Sequence, residues 1–377
     1  MASSSSTRTA VIASLHFAPI FASHMIAYAR ALHELGFDVV FILHPRYIGF
    51  ADFETAGKVV RLSQARQWLV TNHADFAIFA NAAILNPALA ARLRFTGTDV
   101  RYVFHEPDTI RNHIGESTKD LAKFAVASMA SILMLFVCTG VFLPSRQALE
   151  LYTRHFAHYN RNAVVLHLLF EDEAADSDLS RIEERRFFSF LGYASNAHDF
   201  DAFVEFVKSS IRANCEFPFL IATRSSLDCL MDRDGEFREY VAQGKVHVRH
   251  GEVLPVADMD RCYRQSFCVW NVYRCSTQSG VLPRSFMNGT PVLANHIGSF
   301  PEFVQPGVNG EFVGSALDHQ AILDAAMRIR DNLATYVAGC RDSFKGLFHY
   351  NVGKDILAEV LRGRHRGAEF GLHESGV

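Results

Sequence analysis

What the 377-residue sequence lacks narrows its function before anything it contains. It lacks a charge imbalance: 37 Lys and Arg stand against 40 Asp and Glu, for a net charge of −3. That excludes a nucleic-acid binder driven by bulk charge. It lacks cysteine pairs, since Cys138, Cys215, Cys229, Cys262, Cys268, Cys275 and Cys340 are scattered and form no Cys-x-x-Cys to hold zinc. Such usage reads as a reducing compartment, hence the cytoplasm. It lacks a secretory leader: MASSSSTRTA has no basic region before an apolar run, and the apolar stretch Ala10 to Leu15 is soon broken by His16 and Pro19. His-Glu-x-x-His and Gly-x-Ser-x-Gly are both missing, which removes zinc-peptidase and serine-hydrolase readings. Asp258-Met259-Asp260 resembles a metal-binding Asp-x-Asp but opens a helix, where Asp is an ordinary cap, so no metal is expected there.

Apolar surface is abundant, with 49% hydrophobic residues and 32 Phe, 11 Tyr and 2 Trp. Disorder and low-complexity classes are excluded, and a chain of this length divides into two domains with a cleft expected between them. The pattern is α/β. Thr9 to Leu15, the amphipathic Ser23 to Leu35 and Val39 to Leu43 form a β-α-β unit, and short apolar runs continue at Phe76 to Phe79, Val100 to Phe104 and Val141 to Leu143. The charged segment Glu171 to Arg186 reads as a linker. A second series follows: strands at Phe187 to Leu191, Phe217 to Ala222, Val246 to Arg249, Phe267 to Asn271 and Pro291 to Ala294, with helices at His198 to Arg212 and Ser225 to Ala242. Strands separated by helices imply parallel sheets covered on both faces. The predicted domains are 1–170 and 187–342, joined by the linker 171–186; a helix over 343–362 crosses back, and 363–377 is a tail.

Phe124 to Phe142 is free of charge over nearly the length that spans a bilayer, about 20 residues. Ser128, Ser131, Thr139, Gly140 and the break at Pro144 favour a helix followed by a short buried strand instead. Lys119 and Lys123 before the run and Arg146 after it leave a helix lying in the membrane interface as a further option.

The richest stretch is Tyr273 to Val313. A polar loop, Ser276, Thr277, Gln278, Ser279 and Gly280, runs into a helix beginning near Val281, which Gly289 ends before the strand Pro291 to Ala294. Main-chain amides at such a loop suit an anion such as a diphosphate, and Gly280 permits close approach, although turns use glycine for geometry alone.

This stretch resembles the donor-binding signature of retaining glycosyltransferase family four. Gly289-Thr290-Pro291-Val292-Leu293-Ala294 is similar to the family's Gly-x-Pro-Val-Val-Ala, and Ile297 to Val304, Gly307 and Gly310 follow its later pattern. Phe187 to Gly192 resembles its first C-domain strand, Val246 to Val253 the strand before its base pocket, and Phe344 to Leu361 its closing helix. The resemblance implies a GT-B fold: two Rossmann-like domains whose parallel sheets face an interdomain cleft, the N-terminal one for acceptor and the C-terminal one for nucleotide-sugar.

The sequence departs from the family at its charged positions. Ser276 and Arg284 stand where it carries two glutamates, and Gly192-Tyr193, with His198 near the lysine position, replaces its diphosphate-gripping cations. A substitute cation is then expected, because a phosphate's charge needs a partner. Arg284 and Arg224, the latter just past the strand FPFLIAT, are the candidates, with a surface ion pair as the plain alternative for each. After Val100 to Phe104 come His105, Glu106 and Asp108, where the family's cleft histidine lies. His105 would contact the sugar or acceptor and Glu106 would act as base or loop support, unless the two acids merely cap the turn. His16 and His24 are weaker candidates in the first loop.

The resemblance thus implies a metal-independent, retaining hexosyltransferase-like enzyme without a cofactor, whose donor substrate is a nucleotide-diphosphate sugar. Its acceptor would be a saccharide or lipid-linked saccharide at the inner face of the membrane, in bacterial surface polysaccharide or glycolipid assembly. A GT-B epimerase or hydrolase, or a degenerate nucleotide-sugar binder, is the alternative.

Overall fold

The computed structural model describes residues 8–105, 107, 118–174, 179, 181–274, 276, 278–314, 316 and 318–363. The chain forms two compact units, one of Met1–Glu171 with Phe348–Val377 and one of Asp172–Leu347.

The first unit is built on a seven-stranded parallel sheet: β1 (Arg8–Ser14), β2 (Phe37–Leu43), β3 (Lys58–Arg61), β4 (Phe76–Phe79), β5 (Asp99–Val103), β6 (Gly140–Leu143) and β7 (Ala163–Val165), in the order β3-β2-β1-β4-β5-β6-β7. The uninterrupted apolar run of β1 follows from its central place. Ala10 and Ile12 enter one core and Val11 and Ala13 the other, so each of these four is covered by a helical layer. The charge-free run becomes the helix Thr118–Val137 followed by β6, and no helix among the described residues is long and apolar enough to cross a membrane.

The second unit has a six-stranded parallel sheet: β8 (Phe187–Leu191), β9 (Phe219–Thr223), β10 (Val246–His250), β11 (Ser266–Asn271), β12 (Val292–Asn295) and β13 (Gly310–Val313), in the order β10-β9-β8-β11-β12-β13. Its core is aromatic. Phe188, Phe203, Phe206, Phe217, Phe219, Phe267 and Trp270 are all buried, and Phe206 stacks on Trp270 with ring centroids 5.9 Å apart. Each such ring contributes roughly 1.5–3 kcal/mol when removed from water. Both sheets are therefore Rossmann-like, as the alternation of strands and helices implies.

Three local features differ from the sequence reading. Ser225 to Ala242 is two helices, Asp228–Arg233 and Gly235–Ala242, because Asp234 leaves helical geometry and caps the second through Phe237 N–H at 3.0 Å. The closing helix is also two, Leu333–Leu347 in the second unit and Tyr350–Leu361 in the first. The charged segment 171–186 is anchored at both ends: Asp172 accepts from Arg341 at 3.0 Å, and Arg185 is 4% exposed. Burial pushes the Arg185 guanidinium down to about 10, and its N–H groups donate to Asn288 O at 2.7 Å and Thr290 Oγ1 at 3.0 Å. The tail beyond 363 lies outside the described residues.

Candidate functional site

In an open parallel sheet the carboxyl ends part where neighbouring strands send their connections in opposite directions, and ligands bind in that crevice. The order places this switch point between β8 and β11 in the second unit, and between β1 and β4 in the first.

Gly192 follows β8 with φ of 127°, and a Cβ there would lie 3.2 Å from Val281 Cγ2. Only glycine accepts both the dihedral and the approach without strain. Tyr193 is half exposed, and the Arg224 guanidinium, at the carboxyl end of β9, lies 5.0 Å from its ring centroid. Arg224 is exposed and makes no ion pair among the described residues, so its charge is available to a ligand.

The loop after β11 is held from β12. Tyr273 N–H donates to Asn295 Oδ1 at 3.1 Å and Asn295 Nδ2 donates to Tyr273 O at 2.7 Å, a side chain extending the sheet ladder past Asn271 and Ala294. Ser276 Oγ donates to Gln278 O at 2.9 Å, and Ser299 N–H donates to Ser276 O at 3.3 Å. A Cβ on Gly298 would stand 1.6 Å from that same oxygen. Ser276, Gln278, Ser279, Gly280 and Val281 are all partly exposed. The amides of Ser279, Gly280 and Val281 find no acceptor among the described residues. Consecutive unpaired N–H groups of this kind suit an anion. Thr277 lies outside the described residues.

Arg284 is placed otherwise than the diphosphate expectation has it. Its Nε donates to Asp260 Oδ1 at 2.8 Å and its Nη2 to Glu173 at 3.3 Å, while Asn288 Nδ2 donates to Asp260 at 3.1 Å. With side chains only 16% and 7% exposed, Arg284 and Asp260 form an interior pair that braces the helix Val281–Met287. Asp258, the other acid of Asp-x-Asp, is 3.4 Å from Arg261.

The loops after β8 and β11 are also tied together by side chains. Arg274 pairs with Asp199 at 2.8 Å, and its N–H donates to Ala197 O at 2.9 Å. His198 Nδ1 donates to Tyr193 O at 2.6 Å, and its ring lies 4.5 Å from that of Tyr273. Burial lowers the His198 imidazole below its ordinary 6.5, the bond to Tyr193 offsetting this in part. The unfolded chain therefore takes up this proton before the folded one does. The contribution is complete above about pH 6.5 and declines as pH falls further. Urea midpoints between about pH 8 and about pH 5.5 should drop on the acid side, and His198→Asn, whose amide can still donate to Tyr193 O, should lack that component.

In the first unit His105 stands just past β5, its Nε2 2.7 Å from Ala80 O and its ring stacked on Phe21 at 4.3 Å. The loops after β1, β4 and β5 thus meet at one histidine. Asn81 Nδ2 donates to His16 O at 2.9 Å, and the buried Oδ1 atoms of Asn81 and Asn86 have no partner among the described residues. His24 is buried and bonded to Leu169 O at 2.9 Å, which makes it structural. Glu106 and Asp108 lie outside the described residues.

Gly298 falls within the Ile297 to Val304 pattern but is not singled out by it, and Asn295 shows only as a polar residue ending the apolar strand VLAN.

No protein-family model and no curated protein sequence matches the chain. Solved structures do. The sucrose-phosphate synthase of Thermosynechococcus elongatus superposes with a TM-score of 0.70 at 14% identity, over 96% of this chain and 100% of that one. Anabaena HepE, solved in complex with UDP-glucose, gives 0.67 at 14% over 94% and 99%. The lipopolysaccharide outer core galactosyltransferase WaaB gives 0.60 at 10% over 95% and 99%. Two Rossmann-like units with parallel sheets and these neighbours establish the fold as GT-B.

Proposed function

We propose that the protein is a glycosyltransferase that moves a sugar from a nucleotide-diphosphate donor to a hydroxyl acceptor with retention of anomeric configuration. The supporting observation is the set of donors without partners among the described residues at the β8/β11 switch point: the amides of Ser279, Gly280 and Val281 beside Gly192, with Arg224, which forms no ion pair among those residues, next to Tyr193. An anion with several oxygens matches such donors, and HepE's complex with UDP-glucose favours the same ligand class here. As the bond to the sugar breaks, charge grows on the departing diphosphate. Donors already fixed around that position lower the barrier, with no metal needed in this reading. The leaving oxygen would take the acceptor's proton on the same face. A carboxylate nucleophile is then unnecessary, which agrees with Ser276 at the first glutamate position. His105, steadied by Ala80 O and Phe21, is the first unit's candidate to contact sugar or acceptor. The acceptor class proposed is a saccharide or lipid-linked saccharide of bacterial surface polysaccharide or glycolipid assembly, which WaaB's own activity favours.

The test is calorimetric titration with UDP, GDP and the corresponding nucleosides. One diphosphate should bind, and Arg224→Ala should weaken it about tenfold while leaving the nucleoside unaffected, the size of one charge-assisted hydrogen bond. If no nucleoside diphosphate binds, the reading fails. Binding without transfer to any acceptor in a broad panel would instead favour the degenerate binder, the reading that the missing glutamates support.

A further inference from the structure

From Val126 onward the helix Thr118–Val137 is apolar on both of its faces. Ala130, Ser131, Met134 and Leu135 are buried, and Ser131 Oγ is 2.8 Å from Tyr102 Oη. Opposite them Val126, Met129, Leu133 and Phe136 are 42%, 57%, 49% and 64% exposed. Their three- and four-residue spacing places them on one stripe, about 15 Å long at 1.5 Å per residue. Phe95, at the end of the helix Asn86–Phe95 that packs alongside, is 94% exposed. Single exposed apolar residues are ordinary, but a contiguous stripe marks a surface that meets something.

The charges around the stripe decide what it meets. Arg92 and Arg94 are exposed on the neighbouring helix, which carries no acid, and Arg94 Nη1 reaches Thr139 Oγ1 at 3.3 Å, just past the end of the stripe. Tyr159 packs on Phe136 with ring centroids 4.9 Å apart, and the exposed Arg161 follows two residues later. Over positions 121–170 the sequence has one carboxylate, Glu150, against Lys123, Arg146, Arg154 and Arg161. In a chain of net charge −3 this is a marked local excess of cations. A second copy pressed on the same face would set these arginines against one another. An anionic lipid surface would take the stripe among its acyl chains and the arginines among its phosphates.

We propose that this face docks on anionic membrane lipid, with Val126, Met129, Leu133, Phe136 and Phe95 entering the interface and Arg92, Arg94 and Arg161 forming its cationic rim. The inference stands on this surface alone and does not depend on sugar transfer.

The experiment is sedimentation of the full chain with vesicles of phosphatidylcholine alone or with about one-third phosphatidylglycerol at low salt. The protein should sediment with the anionic vesicles at least about tenfold more strongly than with the neutral ones. Met129→Glu combined with Phe136→Glu should reduce that binding at least about tenfold while keeping the wild-type urea midpoint, since both side chains are exposed. Arg92→Glu combined with Arg161→Glu should weaken binding and flatten its salt dependence. The proposal is overturned if the wild type ignores anionic vesicles, or if the Met129/Phe136 variant binds undiminished. It is also overturned if the stripe instead drives a dimer that the same variant dissociates, with no vesicle binding.

Discussion

Gly298→Ala is expected to lower stability by about 3 kcal/mol and to weaken nucleoside-diphosphate binding by about a hundredfold. Two effects add. Gly298 has φ of 53°, a region that costs an L side chain roughly 1 kcal/mol or more, and the new methyl would stand 1.6 Å from Ser276 O. No rotamer relieves that overlap, because the obstructing atom belongs to the main chain. The 276–280 loop must therefore move, breaking the Ser299-to-Ser276 bond and scattering the amides of Ser279, Gly280 and Val281. Loss of about 3 kcal/mol of oriented hydrogen bonding corresponds to the hundredfold figure. Urea unfolding with parallel titration checks it. A variant with wild-type affinity would show that the loop amides do not hold the ligand.

Arg284→Ala should cost about 3 kcal/mol of stability, because it strands Asp260 at a site 7% exposed with Asn288 the one side-chain donor left among the described residues. Replacing both members, Arg284→Met with Asp260→Leu, should recover most of that loss, since neither charge is then left alone. The same variant separates brace from ligand. Measured well below the unfolding midpoint, nucleoside-diphosphate affinity should stay within about twofold of wild type; a tenfold fall would return Arg284 to the phosphate.

The architecture could be read from the sequence wherever a strand is buried on both faces. β1, β2, β4, β5, β6, β8, β9, β11 and β12 announce themselves as apolar runs, and all of them lie inside their sheets; of the four edge strands only β10, Val246 to Arg249, is marked by the sequence. The strands that sequence reasoning passes over, β3 (KVVR), β7 (AVV) and β13 (GEFV), are all edge strands. One side of an edge strand has no neighbour, so a short, mixed sequence suffices and the hydrophobic signal shrinks. The site divides in the same way. The loop 276–280, Gly192 and Arg224 could be nominated because a strand's end and a glycine are local properties. The occupation of Arg284 could not, because Asp260 and Glu173 approach it from distant parts of the chain. Likewise the clasp of Asn295 on Tyr273 exists only once β11 and β12 are paired.

The first unit is assembled from both ends of the chain. Phe170 N–H donates to Phe348 O at 2.8 Å and Tyr350 N–H to Phe170 O at 3.0 Å. Gly353 lies against Leu169, and Lys354 pairs with Glu34 at 2.7 Å. During synthesis the strands made first must therefore wait, with part of their helical cover missing, while the whole second unit emerges from the ribosome. At about 5–20 residues per second that interval is roughly 10–35 s. The portion translated later is the one able to complete itself first. Losing the last helix to a premature stop codon would thus spare the second unit and expose the first to chaperones and proteases.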